Sequence, residues 1–235
     1  QGRIQKKESW ASSFDVSASC ASFAIALDNV VRTMATDQSI KYAVVIGVYN
    51  MPAYIRKGDA FGYSIFADGA GAFVLERKED DQSKYINGQL LTDGTQWDYV
   101  GVYAGGTRNP VTEKVLKEET YGLLNIQALP SDRNVRLWPM VIEKLLQKSN
   151  TDLKDIDHFI FTQINRSLIK KVMAAINQPL EKTSFVMDRY GYTGSGCVPM
   201  AFHHAVKENK VKRGDKIVFV ASGAGLAVGS NLFIY

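Results

Sequence analysis

The chain reads as an α/β fold of layered helices and sheets, and three observations predict it. Residues 21 to 34 carry Phe23, Leu27, Val30, Val31 and Met34 at helical spacing. Ala24, Ile25 and Ala26 extend the apolar surface almost all round the first two turns, so this helix is expected to be deeply buried. "YAVVIGVYN" follows, a continuous β-branched run of the kind found in strands covered on both faces of a largely parallel sheet. The same order then returns in "GSGCVPMAFHHAVKENKVKRGDKIVFVASGAG": a turn of small residues, a cysteine, a helix, a charged loop and a strand. Cys20 precedes Lys41 by 21 residues and Cys197 precedes Lys216 by 19, which predicts two copies of one supersecondary unit in the two halves of one fold.

Between the copies, "SIFADGAGAFVLERK" predicts a hairpin of strand, Gly-rich turn and strand. "LLTDGTQWDYVGVYAGGTRNP" is a second region of strands and turns. "WPMVIEKLLQKSN" starts a helix, with Pro139 suited to its first turn. "IDHFIFTQIN" gives a short buried strand and "RSLIKKVMAAINQ" an amphipathic helix. In the second copy, Phe202, Ala205 and Val206 share a helix face, and "KIVFVAS" is the last strand of the unit.

Composition bounds the function. With 46% hydrophobic and 22% charged residues among 235, the chain has the profile of a soluble globular protein. No apolar run approaches the ~20 residues that span a bilayer, so no membrane association is expected. "QGRIQKKESW" lacks the features of a targeting segment, and the start at Gln1 reads as an internal one. Two cysteines without CxxC spacing exclude a disulfide framework, point away from metal and suit a reducing, cytoplasmic setting. The net charge of +4 is too small and dispersed for a nucleic-acid partner, although it favours the approach of acidic or phosphate-bearing ones.

"FDVSASCASFAIAL" puts Cys20 at the seam between a β-like run and the first helix. A thiol there faces unpaired backbone N–H groups and the positive end of the helix dipole, which can bring a cysteine to roughly 3.5–7.5 and make it a nucleophile. The same residue is also readable as a small, buried packing side chain, since free cysteines are among the most buried residue types. Position alone does not decide, because Cys197 also sits at a helix start.

Five motifs in order bear on the choice: "DVSASCASF", "FADGAGAFVL", "FTQINRSLI", "RYGYTGSGCVPMA" and "SGAGLAVGSNLFIY". Through them the chain resembles the condensing enzymes of the thiolase fold, most closely β-ketoacyl-acyl-carrier-protein synthase III. The resemblance implies a thiolase-like fold of two pseudo-symmetric βαβαβ halves in a layered α-β-α-β-α arrangement. Residues 1–80 would form the C-terminal part of the first half, with the nucleophile, and residues 81–235 the second half. It further implies that ~100 N-terminal residues of a complete enzyme lie on another chain or are lost. Without them a sheet and the helix after Cys20 would stay uncovered.

The resemblance also assigns roles. Cys20 is the acyl-accepting nucleophile and Cys197 is structural. The oxyanion hole would be the backbone N–H groups of Cys20 and Ala224, with Gly223 and Gly225 letting that loop come close. The family's catalytic His is Thr162 here, and its catalytic Asn is Tyr192. Thr cannot shuttle a proton near neutral pH, and a Tyr phenol either donates one hydrogen bond or fills the pocket. Losing one positioned donor typically costs ~10²–10³ in rate, so losing both should cripple standard condensation. Gln163 and Asn165 keep family identities, either as substrate-binding groups or as strand-end hydrogen-bonding residues. Ile164, Ser167 and Ser222 depart from the family, which puts the usual CoA-phosphate contacts in doubt and leaves Arg166, beside Ser167, as a candidate substrate-binding residue.

His158, His203 and His204 read as surface or packing residues and Asp68 as a turn residue. Trp97, Trp138 and Tyr103 read as core or interface. The expected function is acyl transfer without a cofactor: Cys20 takes an acyl group from acyl-CoA or acyl carrier protein. It then passes the group to malonyl-carrier protein, as in fatty-acid or polyketide initiation, or to a hydroxyl, amine or water. A homodimer, or a heterodimer with a homologue, is expected. The rival reading is a non-condensing partner subunit of a catalytic homologue.

Overall fold

The computed structural model of the chain describes residues 10–78 and 82–235. In order, the elements are α1 (Ser22–Thr36), β1 (Tyr42–Tyr49), α2 (Ala60–Ile65), β2 (Gly69–Glu76), β3 (Lys84–Gln96), β4 (Val100–Val102) and α3 (Glu113–Lys117). They continue with β5 (Leu123–Asn125), α4 (Arg133–Lys148), β6 (His158–Phe161), α5 (Arg166–Ala175), α6 (Met187–Tyr190), α7 (Cys197–Lys207), β7 (Lys216–Gly223) and β8 (Gly225–Ile234).

The main sheet has the order β3-β8-β7-β6, with β6 and β7 parallel and the other neighbours antiparallel. Its inner strands are apolar at nearly every position because both faces carry helices, and the alternation of side chains sorts them into two cores. Phe159, Phe161, Val218, Val220, Val228 and Leu232 face α4 and α5, meeting Trp138, Ile142, Leu145, Ile169 and Met173. Ile160, Ile217, Phe219 and Ala221 face the other way, against Phe23, Ala24 and Leu27 of α1 and Val198, Ala201 and Ala205 of α7.

The repeat is visible as the same order of elements. A 3₁₀ turn at Ser19–Ala21 leads into α1 and β1, and one at Gly194–Gly196 leads into α7 and β7. The two turns touch, which brings the two cysteine-bearing helix starts together at the centre of the molecule.

Four expectations are corrected. Among the described residues β1 pairs only with β2, antiparallel, and is not covered on both sides. Val45 is buried, while Tyr42, Val44, Ile46 and Val48 are 54–67% exposed. An all-apolar strand carries no alternation, so the pattern could not reveal that one face is open. The Gly-rich segment is no turn: it forms β2 itself, and the preceding "SI" closes the short helix α2. Its small residues admit Pro199 of α7 against the strand at Gly71. Pro139 lies inside α4, which starts six residues earlier at Arg133. Finally, α1 is buried along one stripe only, formed by Phe23, Ala24, Leu27, Asp28 and Met34. Asp28 is held there by the Arg32 guanidinium at 2.8 Å and by the Tyr85 hydroxyl.

Candidate active site

Cys20 stands in the 3₁₀ turn that opens into α1. Ser19, immediately before it, has φ 51°, a left-handed conformation uncommon for a residue with a side chain and often met at functional turns. Hydrogen bonds hold the turn: the Ala18 N–H donates to Ser22 Oγ at 2.8 Å, and the Ser22 hydroxyl donates to the Ser19 carbonyl at 2.6 Å. The Ser19 hydroxyl reaches across to the Ala224 carbonyl at 3.3 Å. The end of β7 presses against the same turn. A methyl group added to Gly223 would collide with the Ala18 carbonyl oxygen and lie 3.0 Å from the Cys20 amide nitrogen. At 223 only glycine permits so close an approach to the cysteine backbone, whereas a Cβ at Gly225 would meet nothing within 4 Å and that glycine serves its φ of 131° instead.

Two tyrosines surround the sulfur. Tyr192, in the turn before α7, and Tyr49, the last residue of β1, both act on Cys20 electrostatically, and each lowers its thiol. Their rings and Phe66 form an aromatic cluster, with centroids 6.1 Å apart for Tyr49 and Tyr192 and 5.9 Å for Phe66 and Tyr192. Gly194, at φ 48°, makes room for the Tyr49 ring, which a Cβ would strike. Arg133, at the start of α4, lies within electrostatic reach of both Cys20 and Tyr192.

These surroundings alter the electrostatic expectation. Desolvation raises the Cys20 thiol above its ordinary value, and this outweighs the opposing pull of Tyr192, of the cysteine's own backbone N–H, of Tyr49 and of Arg133. A helix start alone would favour the thiolate, but crowding around the sulfur wins. Burial also raises both tyrosine hydroxyls, so they remain protonated donors. Cys197 is fully buried, pushed up to about 12 mainly by desolvation, and accepts from the Gln163 N–H at 3.4 Å. That is the setting of a packing thiol.

The other sequence-predicted residues divide into two groups. Gly223 and Ala224 lie beside the Cys20 turn, with Gly225 next along the same loop, and Tyr192 lowers the Cys20 thiol. Thr162, at the end of β6, is buried and its hydroxyl oxygen accepts from the Ser222 N–H at 3.0 Å, tying β6 to β7. Gln163 is fully buried and bridges backbone groups: its amide donates to the Phe161 and Ser184 carbonyls and accepts from the Val186 N–H at 2.8 Å. Asn165 caps α5, accepting from the Ser167 N–H at 2.9 Å and the Leu168 N–H at 3.3 Å. Arg166 is exposed and lies over the Phe185 ring at 4.7 Å.

His158 is buried against Ser184, and Asp68 accepts from the Asn50 side chain. His203 is exposed and His204 half-buried against the Tyr190 ring. Trp138 is core, whereas Trp97 is 59% exposed. Sequence reasoning missed Tyr49 and Arg133. Both lie in ordinary local contexts, a strand end and a helix start, and only the tertiary fold turns them toward the thiol. Among the described residues no group of three or more His, Cys, Asp and Glu could hold a metal ion, and no helix is long and apolar enough to cross a membrane.

Comparison with known proteins bears on this arrangement. The family model described as 3-oxoacyl-[acyl-carrier-protein] synthase III matches residues 14–94, and that of the synthase III C terminal matches residues 146–235. The β-ketoacyl-[acyl-carrier-protein] synthase III of Aliarcobacter butzleri is 34% identical over 230 residues, covering 94% of this chain and 66% of the relative. The synthase III of Koribacter versatilis is 29% identical over 220 residues, again with 66% of its length covered. The chain thus spans about two thirds of the length of these relatives. Among solved structures, the synthase III of Aquifex aeolicus superposes with a TM-score of 0.78 at 28% identity, covering 94% of this chain and 67% of that one. An OleA variant from Xanthomonas campestris, at 17% identity and a TM-score of 0.75, shares the fold. The thiolase-like α/β fold expected from the motifs therefore stands, and the chain belongs to the 3-oxoacyl-[acyl-carrier-protein] synthase III family.

Proposed function

We propose that the chain is an acyltransferase of the synthase III type, in which Cys20 takes an acyl group from a CoA or acyl-carrier-protein thioester and passes it to an acceptor. The observation that carries this reading is the Cys20 turn itself. A half-buried cysteine at the head of α1 lies against Gly223 and the Ala224 loop, and Tyr192 and Tyr49 both pull its thiol down. The Cys20 sulfur attacks the thioester carbonyl and the donor thiol leaves. The oxyanion would be received by the backbone N–H groups of Cys20 and Ala224, a reading supported by the close approach of Gly223 to the Cys20 amide and by the Ser19 bond to the Ala224 carbonyl. The thioester is already activated, so the chemistry calls for no cofactor.

The acceptor follows from what surrounds the sulfur. Thr162 is engaged with Ser222, and Tyr192 offers one hydroxyl donor where the family offers an amide. Neither can serve as the imidazole that polarises a malonyl thioester, so transfer to a hydroxyl, amine or water competes with condensation onto malonyl-carrier protein. The division into halves at residues 80 and 81, a cytoplasmic setting and a dimer with itself or a homologue belong to the same proposal. The raised Cys20 thiol and the occupied Thr162 favour a second reading, a non-condensing partner subunit. Incubation with acetyl-CoA or acyl-carrier protein followed by intact-mass measurement separates the two. An adduct that disappears in Cys20→Ala supports transfer, and the absence of any adduct supports the partner subunit. Carbon dioxide release from malonyl-carrier protein by the unaltered protein, at a rate undiminished by Tyr192→Phe, would overturn the reading of residue 192.

A further inference from the structure

Arg133 opens the sixteen-residue helix α4 and is only 7% exposed. Its side chain makes one hydrogen bond, from Nη1 to Gln96 Oε1 at 3.2 Å, and among the described residues no carboxylate pairs with it. A buried guanidinium whose partner is a neutral amide lacks the anion that such a burial ordinarily requires. The surrounding geometry adds to this. Asp132 makes no side-chain cap, so the first turn of α4, which carries Arg133, has no side-chain acceptor from its N-cap. Gln96 lies opposite Gly225 on the neighbouring strand, next to Ala224, whose carbonyl is bonded to Ser19 beside Cys20. The unpaired cation therefore sits at the glycine loop that clasps the thiol, within electrostatic reach of Cys20 and Tyr192.

We infer that Arg133, oriented by Gln96, forms a carboxylate subsite beside Cys20, and that the acyl group loaded there is a short dicarboxylic one retaining its free carboxylate. The inference rests on the acyl-transfer reading above. In the loading step the Cys20 sulfur forms a bond to the thioester carbonyl carbon and the bond to the donor sulfur breaks. The departing thiolate takes the proton that Cys20 gives up. The distal carboxylate remains on the guanidinium, unchanged. Holding it there also opposes its loss as carbon dioxide, because decarboxylation moves negative charge away from Arg133.

The test compares succinyl-CoA with butyryl-CoA, which match in chain length and differ in the carboxylate, by the rate of adduct formation on the protein. The unaltered protein is expected to load succinyl at least about tenfold faster. In Arg133→Gln the succinyl-to-butyryl ratio falls by roughly 10- to 100-fold, the loss expected for a charge-assisted hydrogen bond, while Arg133→Lys retains part of it. The ratio is insensitive to any change in the thiol, which affects both donors alike. Equal loading of the two thioesters by the unaltered protein overturns the subsite and needs no variant to fold. A ratio that survives in a folded Arg133→Gln overturns it too. If neither thioester loads while iodoacetamide still alkylates Cys20, acyl transfer itself fails and the subsite falls with it.

Discussion

Replacing Tyr192 with Phe tests what sets the reactivity of Cys20. The ring is 3% exposed and packed in the aromatic cluster with Phe66 and Tyr49, so Phe keeps the packing and removes only the hydroxyl. That hydroxyl is the largest influence holding the thiol down against desolvation, ahead of the cysteine's own backbone N–H, Tyr49 and Arg133. A hydrogen bond to a charged acceptor contributes about 1.5–3 kcal/mol, and a neutral thiol is a far weaker acceptor than a thiolate, so nearly all of this is lost from the thiolate alone. At 1.4 kcal/mol per factor of ten, the thiolate population near neutral pH should fall by roughly 10- to 100-fold. Alkylation by iodoacetamide, followed by intact mass with Cys20→Ala as the blank, reads that population. Tyr192→Phe should react 10- to 100-fold more slowly at neutral pH and converge with the unaltered protein in strong alkali, and Tyr49→Phe should show a smaller effect. Equal or faster alkylation of Tyr192→Phe at neutral pH would refute the assignment of that hydroxyl to the sulfur.

Two further outcomes follow from the same geometry. Asn165→Ala should lower stability by ~1 kcal/mol through loss of the α5 cap, with Asn165→Asp close to neutral, and neither should change Cys20 alkylation. A large loss of thiol reactivity without loss of stability would instead restore Asn165 to the site. His158 is pushed down to about 4, first by burial and then by the charge of Lys210. Its folded form is therefore the neutral one, and stability is complete above the ordinary value near 6.5. It should be lost as pH falls toward 4, by roughly 3 kcal/mol in all, since the unfolded chain binds the extra proton. Urea midpoints across this window should fall with pH in the unaltered protein and less steeply in His158→Gln, and parallel slopes would contradict the account.

Much of the fold was legible because its signals are local. The buried strands "IDHFIF" and "KIVFVAS" are apolar on both faces because helices cover both, and the α1 and α7 repeat lies in spacing alone. β1 misled because its sequence is equally apolar although one face is open; a strand reports its propensity, while its coverage depends on neighbours distant in the chain. The glycines of β2 likewise read as a turn, whereas they admit the helix carrying Pro199.

At the site, Cys20 and the glycine loop were readable from their motifs. The partners of the thiol were not. Tyr49 and Arg133 arrive from a strand end and a helix start far from Cys20 in sequence, and the desolvation that raises the thiol is a property of the assembled surroundings. The helix-start rule was right about position and wrong about the balance, because it counts the dipole and not the crowding.

The central claim is that one of two cysteines accepts the acyl group, and peptide mapping after exposure to an acyl thioester tests it most directly. The account predicts a single acyl modification on the peptide containing Cys20, with Cys197, fully buried and held at about 12, left unmodified. Acylation at Cys197, or an unmodified Cys20 in protein whose Cys20 still reacts with iodoacetamide, would contradict it.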